Sequence, residues 1–170
     1  MAGAALLFLL AALASLNAGS YFLQFDNPTD HLAGLIFSRG QWAYSGNRAI
    51  VMWILGGANH LLGASPYNEA IITTVLGMCA TAALYDLALV AFRSPRTAAL
   101  SVIVWVSLGS VLFYFRVHTG FALAFFTLAL PFYARRRFFV AGVFLLLALV
   151  SHTSFVVPLA LLIGITTLMG

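Results

Sequence analysis

The chain has 170 residues, 63% of them hydrophobic and 7% charged, with a mean hydropathy of +1.05 and a formal net charge of +4. This composition excludes an ordinary soluble domain, and continuous apolar runs such as 138–150 exclude the alternating pattern of a membrane β-barrel. All eight basic residues are arginines in short breaks between apolar runs, so membrane topology and anionic lipid explain the charge better than nucleic acid does.

Residues 4–24 form the first apolar run. Its Ala-rich end near Ser15 and Gly19 resembles a secretory cleavage site, but no basic leading region precedes it, and with the start at Met1 it is expected to stay as an uncleaved first span. A polar stretch follows over 25–48, with Pro28, Gly40 and Gly46. Within it, Leu32, Leu35, Ile36 and Phe37 have partly helical spacing and predict a short amphipathic helix in the membrane interface, a layer that also suits Trp42 and Tyr44. Residues 49–63 would reach only about 22 Å as a helix. They contain Gly56, Gly57, Asn59 and His60, and predict an interfacial or re-entrant helix in preference to a full span, making 27–63 an external loop.

Further spans are predicted at 70–92, 97–115, 119–134, 138–150 and 155–168. Several fall short of the roughly 20 residues of an upright span, as helices can where they line a cavity or thin the bilayer. The expected fold is an all-α polytopic transmembrane bundle over 1–170 as a single domain, with five or six membrane helices plus short interfacial ones. Cys79 lies inside an apolar run and is expected to be a small packing residue; as the one cysteine it forms no internal disulfide. Asp86 stands alone deep in an apolar helix and is expected to be structural, either neutral or paired with Tyr85 or another helix.

Arg93 and Arg96 share one break, and Arg135, Arg136 and Arg137 form another. The threading puts both on one side, which is then cytoplasmic; Arg39, Arg48 and Arg116 oppose the rule but are outnumbered. The external side then collects Asp26, Asp30, His31, His60, Glu69, Arg116, His118 and His152. Should 49–63 span fully, this cluster would separate.

Ionisable groups beside hydrocarbon are costly, which makes the cluster a candidate site. Asp26 and Asp30, four residues apart, share a face if helical; they suit a general base or a divalent cation, or else a solvated loop with Asp26 or Thr29 as a helix cap. Arg116 and His118 interrupt the run Phe113-Tyr-Phe-Arg-Val-His-Thr-Gly120 and suit a phosphate clamp, against a snorkelling arginine at a helix end. His152, in Ser151-His-Thr-Ser154, would orient a phosphate or accept a proton, against a capped polar turn. Asn59 and His60 read as helix–helix hydrogen-bonding residues, and Glu69 as a cap on the following span. Nothing in the spacing favours haem ligation by His118 and His152. No phosphate-binding glycine loop, dinucleotide fingerprint, cysteine-rich metal motif or nucleophile elbow is present.

The order Arg116-x-His-x-Gly-x-Ala-Leu, an apolar stretch, Arg135-Arg-Arg, a second apolar stretch and Ser151-His-Thr-Ser resembles bacterial exopolysaccharide polymerases of the EpsG or Wzy-like type. Leu61-Leu-Gly-Ala-Ser65 and Arg93-Ser-Pro-Arg-Thr-Ala-Ala-Leu100 resemble the N-terminal half of GT-C membrane glycosyltransferases. The resemblance implies a glycosyltransferase or polysaccharide polymerase-like protein in the bacterial cytoplasmic membrane, acting at its external face on a polyprenyl-phosphate-linked sugar. It implies Asp30, with Asp26, as base or metal ligand, and Arg116, His118 and His152 around the phosphate. The chain departs from the pattern at Asp30-His31, where an Asp-Glu pair is usual, and at Val117, where a Gln often follows the Arg. No cofactor is expected beyond a possible divalent metal.

The chain stops at Gly170 directly after an apolar run, which suggests a truncated product or one half of a larger architecture. A non-catalytic accessory or scaffold subunit of a membrane complex is therefore the second expectation, since abundant Gly, Ala and Ser allow close helix packing. A transporter or flippase for a lipid-linked anion is the third.

Overall fold

The computed structural model describes residues 49–65, 67–107, 119–152 and 156–169, together with positions 6, 9, 36 and 39. Among these the protein is all-helical, with six helices and no strand. They are α1 (Ala49–Leu62), α2 (Tyr67–Phe92), α3 (Pro95–Ser107), α4 (Thr119–Ala134), α5 (Phe138–Ser151) and α6 (Val156–Met169). One of them is long and apolar enough to cross a membrane: within α2, Ile71–Phe92 covers 22 residues at a mean hydropathy of 1.9. The predicted first span and the interfacial helix near Leu32 lie outside the described residues, apart from isolated positions.

Local signals set the boundaries. Ser65 starts α2, its Oγ accepting from the Tyr67 N–H at 3.3 Å. Ser94 does the same for α3, accepting from the Thr97 N–H at 3.3 Å, with Pro95 as the first helical residue. Glu69 was expected to cap α2; its side chain lies outside the described residues. At the end of α4 the Arg137 N–H donates to the Phe132 carbonyl and the Arg136 N–H to the Tyr133 carbonyl, each at 2.9 Å, and Arg136 takes a left-handed conformation at φ 59°. This double closure satisfies carbonyls that α4 would otherwise leave open, and reverses the chain into α5.

The core is built from α2, α4 and α5, with α3 packed on α2. Helices α4 and α5 form an antiparallel hairpin, closed near its turn by stacked Phe132 and Phe144 and by the edge-to-face pair Tyr133 and Phe138. Helices α2 and α4 run in the same direction. Ile72 and Leu76 share a cluster with Phe121 and Phe125 near the start of α4, Ala80 packs on Ala124, and Asp86 meets Arg135 just past the end of α4. Helix α1 lies against the half of the bundle away from that end, with Val51 and Leu55 buried beside Phe121, Phe125 and Ala148.

Small residues fill much of the interior, beside the buried Val51, Leu55, Val102, Phe121 and Phe125, and many large ones cover the exterior. Ala80, Ala83, Ala88, Ala98, Ala122, Ala124, Ala129, Ala141 and Ala148 are buried, while Leu100, Val104, Phe139, Leu146 and Leu161 are exposed. The buried hydroxyls of Thr81 and Thr127 donate back to carbonyls four residues earlier, each at 2.8 Å, so they need no water. Cys79 proves exposed, contrary to its expected packing role. Helix α2 is apolar all round, so its sequence does not show which face turns inward.

Replacing Ala124 by Leu should destabilise the bundle by about 2 kcal/mol, because added methylenes at a closed helix contact force the backbones apart. Leu146→Ala, on the exposed face, should cost much less. Reversible unfolding in mixed detergent micelles checks both; equal losses would contradict this packing.

Candidate functional site

The two ends of the bundle differ in chemistry. Parallel α2 and α4 bring their closing turns to one end, so Arg93, Arg96, Arg135, Arg136 and Arg137 gather there. Arg93 and Arg136 both occupy left-handed backbone positions, at φ 51° and 59°, where glycine is the easier residue. Asp86 is neither alone nor deep in its helix. It lies six residues before the end of α2 and accepts two parallel hydrogen bonds from Nη1 and Nη2 of Arg135, each at 2.5 Å. The two-point contact fixes the α4–α5 turn against α2. Hydrogen bonding to Asp86 also holds the Arg135 guanidinium above its ordinary pKa, partly opposed by desolvation.

The opposite end is made by the close of α1, the starts of α2 and α4, and the close of α5. Asn68 Nδ2 donates to Asn59 Oδ1 at 2.6 Å and to the Gly63 carbonyl at 2.8 Å. Both asparagines are buried, at 5% and 6% exposure, so this pair ties α1 to α2 without solvent. The helix–helix hydrogen bond expected in this segment is made by Asn59, while His60 is exposed. Gly63 sits at φ 85°, which lets the chain turn tightly enough for Asn68 to reach back.

His152 follows α5 at this end. Its N–H donates to the Ala148 carbonyl at 3.1 Å, and its extended backbone terminates the helix. Ser151 beside it is fully buried and donates to the Leu147 carbonyl at 2.7 Å. The expected cap residues Thr153 and Ser154 lie outside the described residues, and His152 itself is half-buried.

Of the catalytic and phosphate-binding candidates, His152 alone is described; Asp26, Asp30, Arg116 and His118 lie outside the described residues. Among the described residues no group of three His, Cys, Asp or Glu side chains could hold a metal ion. Sequence reasoning missed Asn68; for Asp86 it left a pairing with another helix open, and the partner it did not name is Arg135. The first had a signal, since Gly63 and Ser65-Pro66 between two apolar runs mark a tight helix hairpin. The second had none, because Asp86 and Arg135 are 49 residues apart.

No protein-family model, curated protein or solved structure matches the chain. The functional reading therefore rests on the residues themselves.

Asn68→Ala should destabilise the protein by about 1–3 kcal/mol, since it orphans the buried Asn59 side chain and removes the part-buried bond to the Gly63 carbonyl. The double variant Asn59→Ala, Asn68→Ala should recover part of that loss. Thermal unfolding in detergent measures both; additive losses would contradict a direct bond.

Proposed function

We propose that the chain is an integral membrane helical bundle that acts on a polyprenyl-phosphate-linked sugar, as a glycosyltransferase or polysaccharide polymerase-like protein of the bacterial cytoplasmic membrane. The observation that carries the membrane part is the distribution of side-chain size. Helices that associate in lipid gain nothing from hiding leucine, so they meet through small residues and turn large apolar ones outward. Buried Ala80 and Ala124 where α2 meets α4, against exposed Leu100, Leu146 and Leu161, follow that rule, while the cluster beside α1 buries larger residues, Leu55 and Phe121 among them. The gathered arginines favour a cytoplasmic position for the α2–α3 and α4–α5 turns, which leaves His152 toward the external face.

The enzymatic part is supported by the resemblance around Arg116, His118 and His152. In this reading Asp30, alone or with Asp26 and a divalent cation, takes the proton of an acceptor hydroxyl. The acceptor oxygen bonds to the anomeric carbon as the bond to the polyprenyl phosphate breaks. Arg116 holds the departing phosphate, with His118 and His152 assisting. Charge fixed where negative charge develops lowers the barrier more than charge placed elsewhere.

A scaffold subunit is the second reading, and α6 favours it. Val156, Val157, Leu161, Ile163 and Ile165 are all exposed, and α6 packs little against the other described helices. Either lipid or a neighbouring subunit would cover them.

Native mass spectrometry of the detergent-extracted protein separates these readings. A polyprenyl-phosphate adduct that disappears with Arg116→Ala supports the transferase, and His152→Ala, which removes one group assisting the departing phosphate, should then reduce transfer about 100-fold. A stable assembly with other subunits and no such lipid supports the scaffold. Full transfer activity in both Arg116→Ala and Asp30→Ala would refute the catalytic assignment.

A further inference from the structure

An open groove of about 460 Å³ runs along α3 where it packs on α2. Its lining is Leu84 from α2 and Thr97, Leu100, Ser101, Val104 and Trp105 from α3. The α3 residues recur every three or four positions, so they form one strip about 12 Å long. The Ser101 hydroxyl donates to the Thr97 carbonyl at 3.0 Å, and most of the groove wall is apolar. Arg96 immediately precedes the first lining residue on α3, and Arg93 stands in the turn before it. Both are exposed, and neither meets a carboxylate among the described residues.

We propose that this groove binds one chain of an anionic phospholipid, with the headgroup phosphate held by Arg93 and Arg96. The combination fits a lipid better than a protein helix. A flexible hydrocarbon chain can lie lengthwise along this open apolar strip, and the guanidinium groups stand at one end of it. Guanidinium groups at one end match a single phosphate, which their paired donors grip. The proposal rests on the membrane reading above, but is independent of sugar transfer, since the arginines lie at the end opposite His152.

Trp105 provides the readout. In a variant with Trp42→Phe and Trp53→Phe, its fluorescence reports on brominated lipid chains in reconstituted vesicles. Brominated phosphatidylglycerol should quench it in preference to brominated phosphatidylcholine, with a relative binding constant about five-fold higher for each arginine engaged. Arg93→Gln with Arg96→Gln should abolish the preference. Leu100→Phe, which fills the groove without touching charge, should weaken quenching by both lipids. Equal quenching by the two lipids in the parent would overturn the proposal in favour of ordinary boundary lipid. Absence of quenching in protein that floats with the vesicles would overturn it in favour of a protein occupant, such as a second copy. Protein that fails to float with the vesicles would overturn the membrane reading, and this proposal with it.

Discussion

Ala80 against Ala124 sets the distance at which this bundle closes. Neither side chain is exposed, and neither extends beyond a methyl group, so two parallel backbones approach closely enough for their flanking residues to interlock. Trp105 and Val106 of α3 pack on one side of that contact. Ile72 and Leu76 pack toward Phe121 and Phe125 on the other, where α1 and α5 join them. A larger residue at either alanine would separate α2 from α4, and the Asp86–Arg135 contact further along the same pair would lose its reach.

That parallel pairing also determines what the two ends can do. Because α2 and α4 point the same way, both turns that follow them carry arginine to one end, while Asn59, Asn68, Ser151 and His152 remain at the other. Asp86 then fixes Arg135 and leaves Arg93 and Arg96 for other partners. An asymmetric molecule of this kind suits a membrane, whose two faces differ in charge and in chemistry. The groove beside Trp105 and the exposed face of α6 are both apolar surfaces.

Much of the helix order was legible in the sequence. Residues 119–134 and 138–150 were expected to be helical, and α4 and α5 occupy Thr119–Ala134 and Phe138–Ser151, because the arginine triplet punctuates two uniform apolar runs. The starts of α2 and α3 were placed two or three residues late, at 70 and 97. Hydropathy marks where apolar residues begin, whereas Ser65 and Ser94 mark where helical hydrogen bonding begins. The exposure of Cys79 was illegible for a different reason: a helix apolar all round has no periodic signal to orient it. The Asp86–Arg135 contact depends on the packing of distant segments, which no local pattern records. At the candidate site, the extended backbone of His152 ends α5, and His60 is exposed while its neighbour Asn59 makes the bond between helices.

The most direct test concerns which turns share a side of the membrane. In a Cys79→Ser background, single substitutions Ala64→Cys, Ser94→Cys and Arg136→Cys place a thiol in the α1–α2, α2–α3 and α4–α5 connections. Labelling intact cells and inverted vesicles with a membrane-impermeant maleimide reads the side of each. Positions 94 and 136 should label together from the cytoplasmic side, and position 64 from the other. Labelling of 94 and 136 from opposite sides, or of 64 with either from the same side, would contradict a membrane bundle built on parallel α2 and α4.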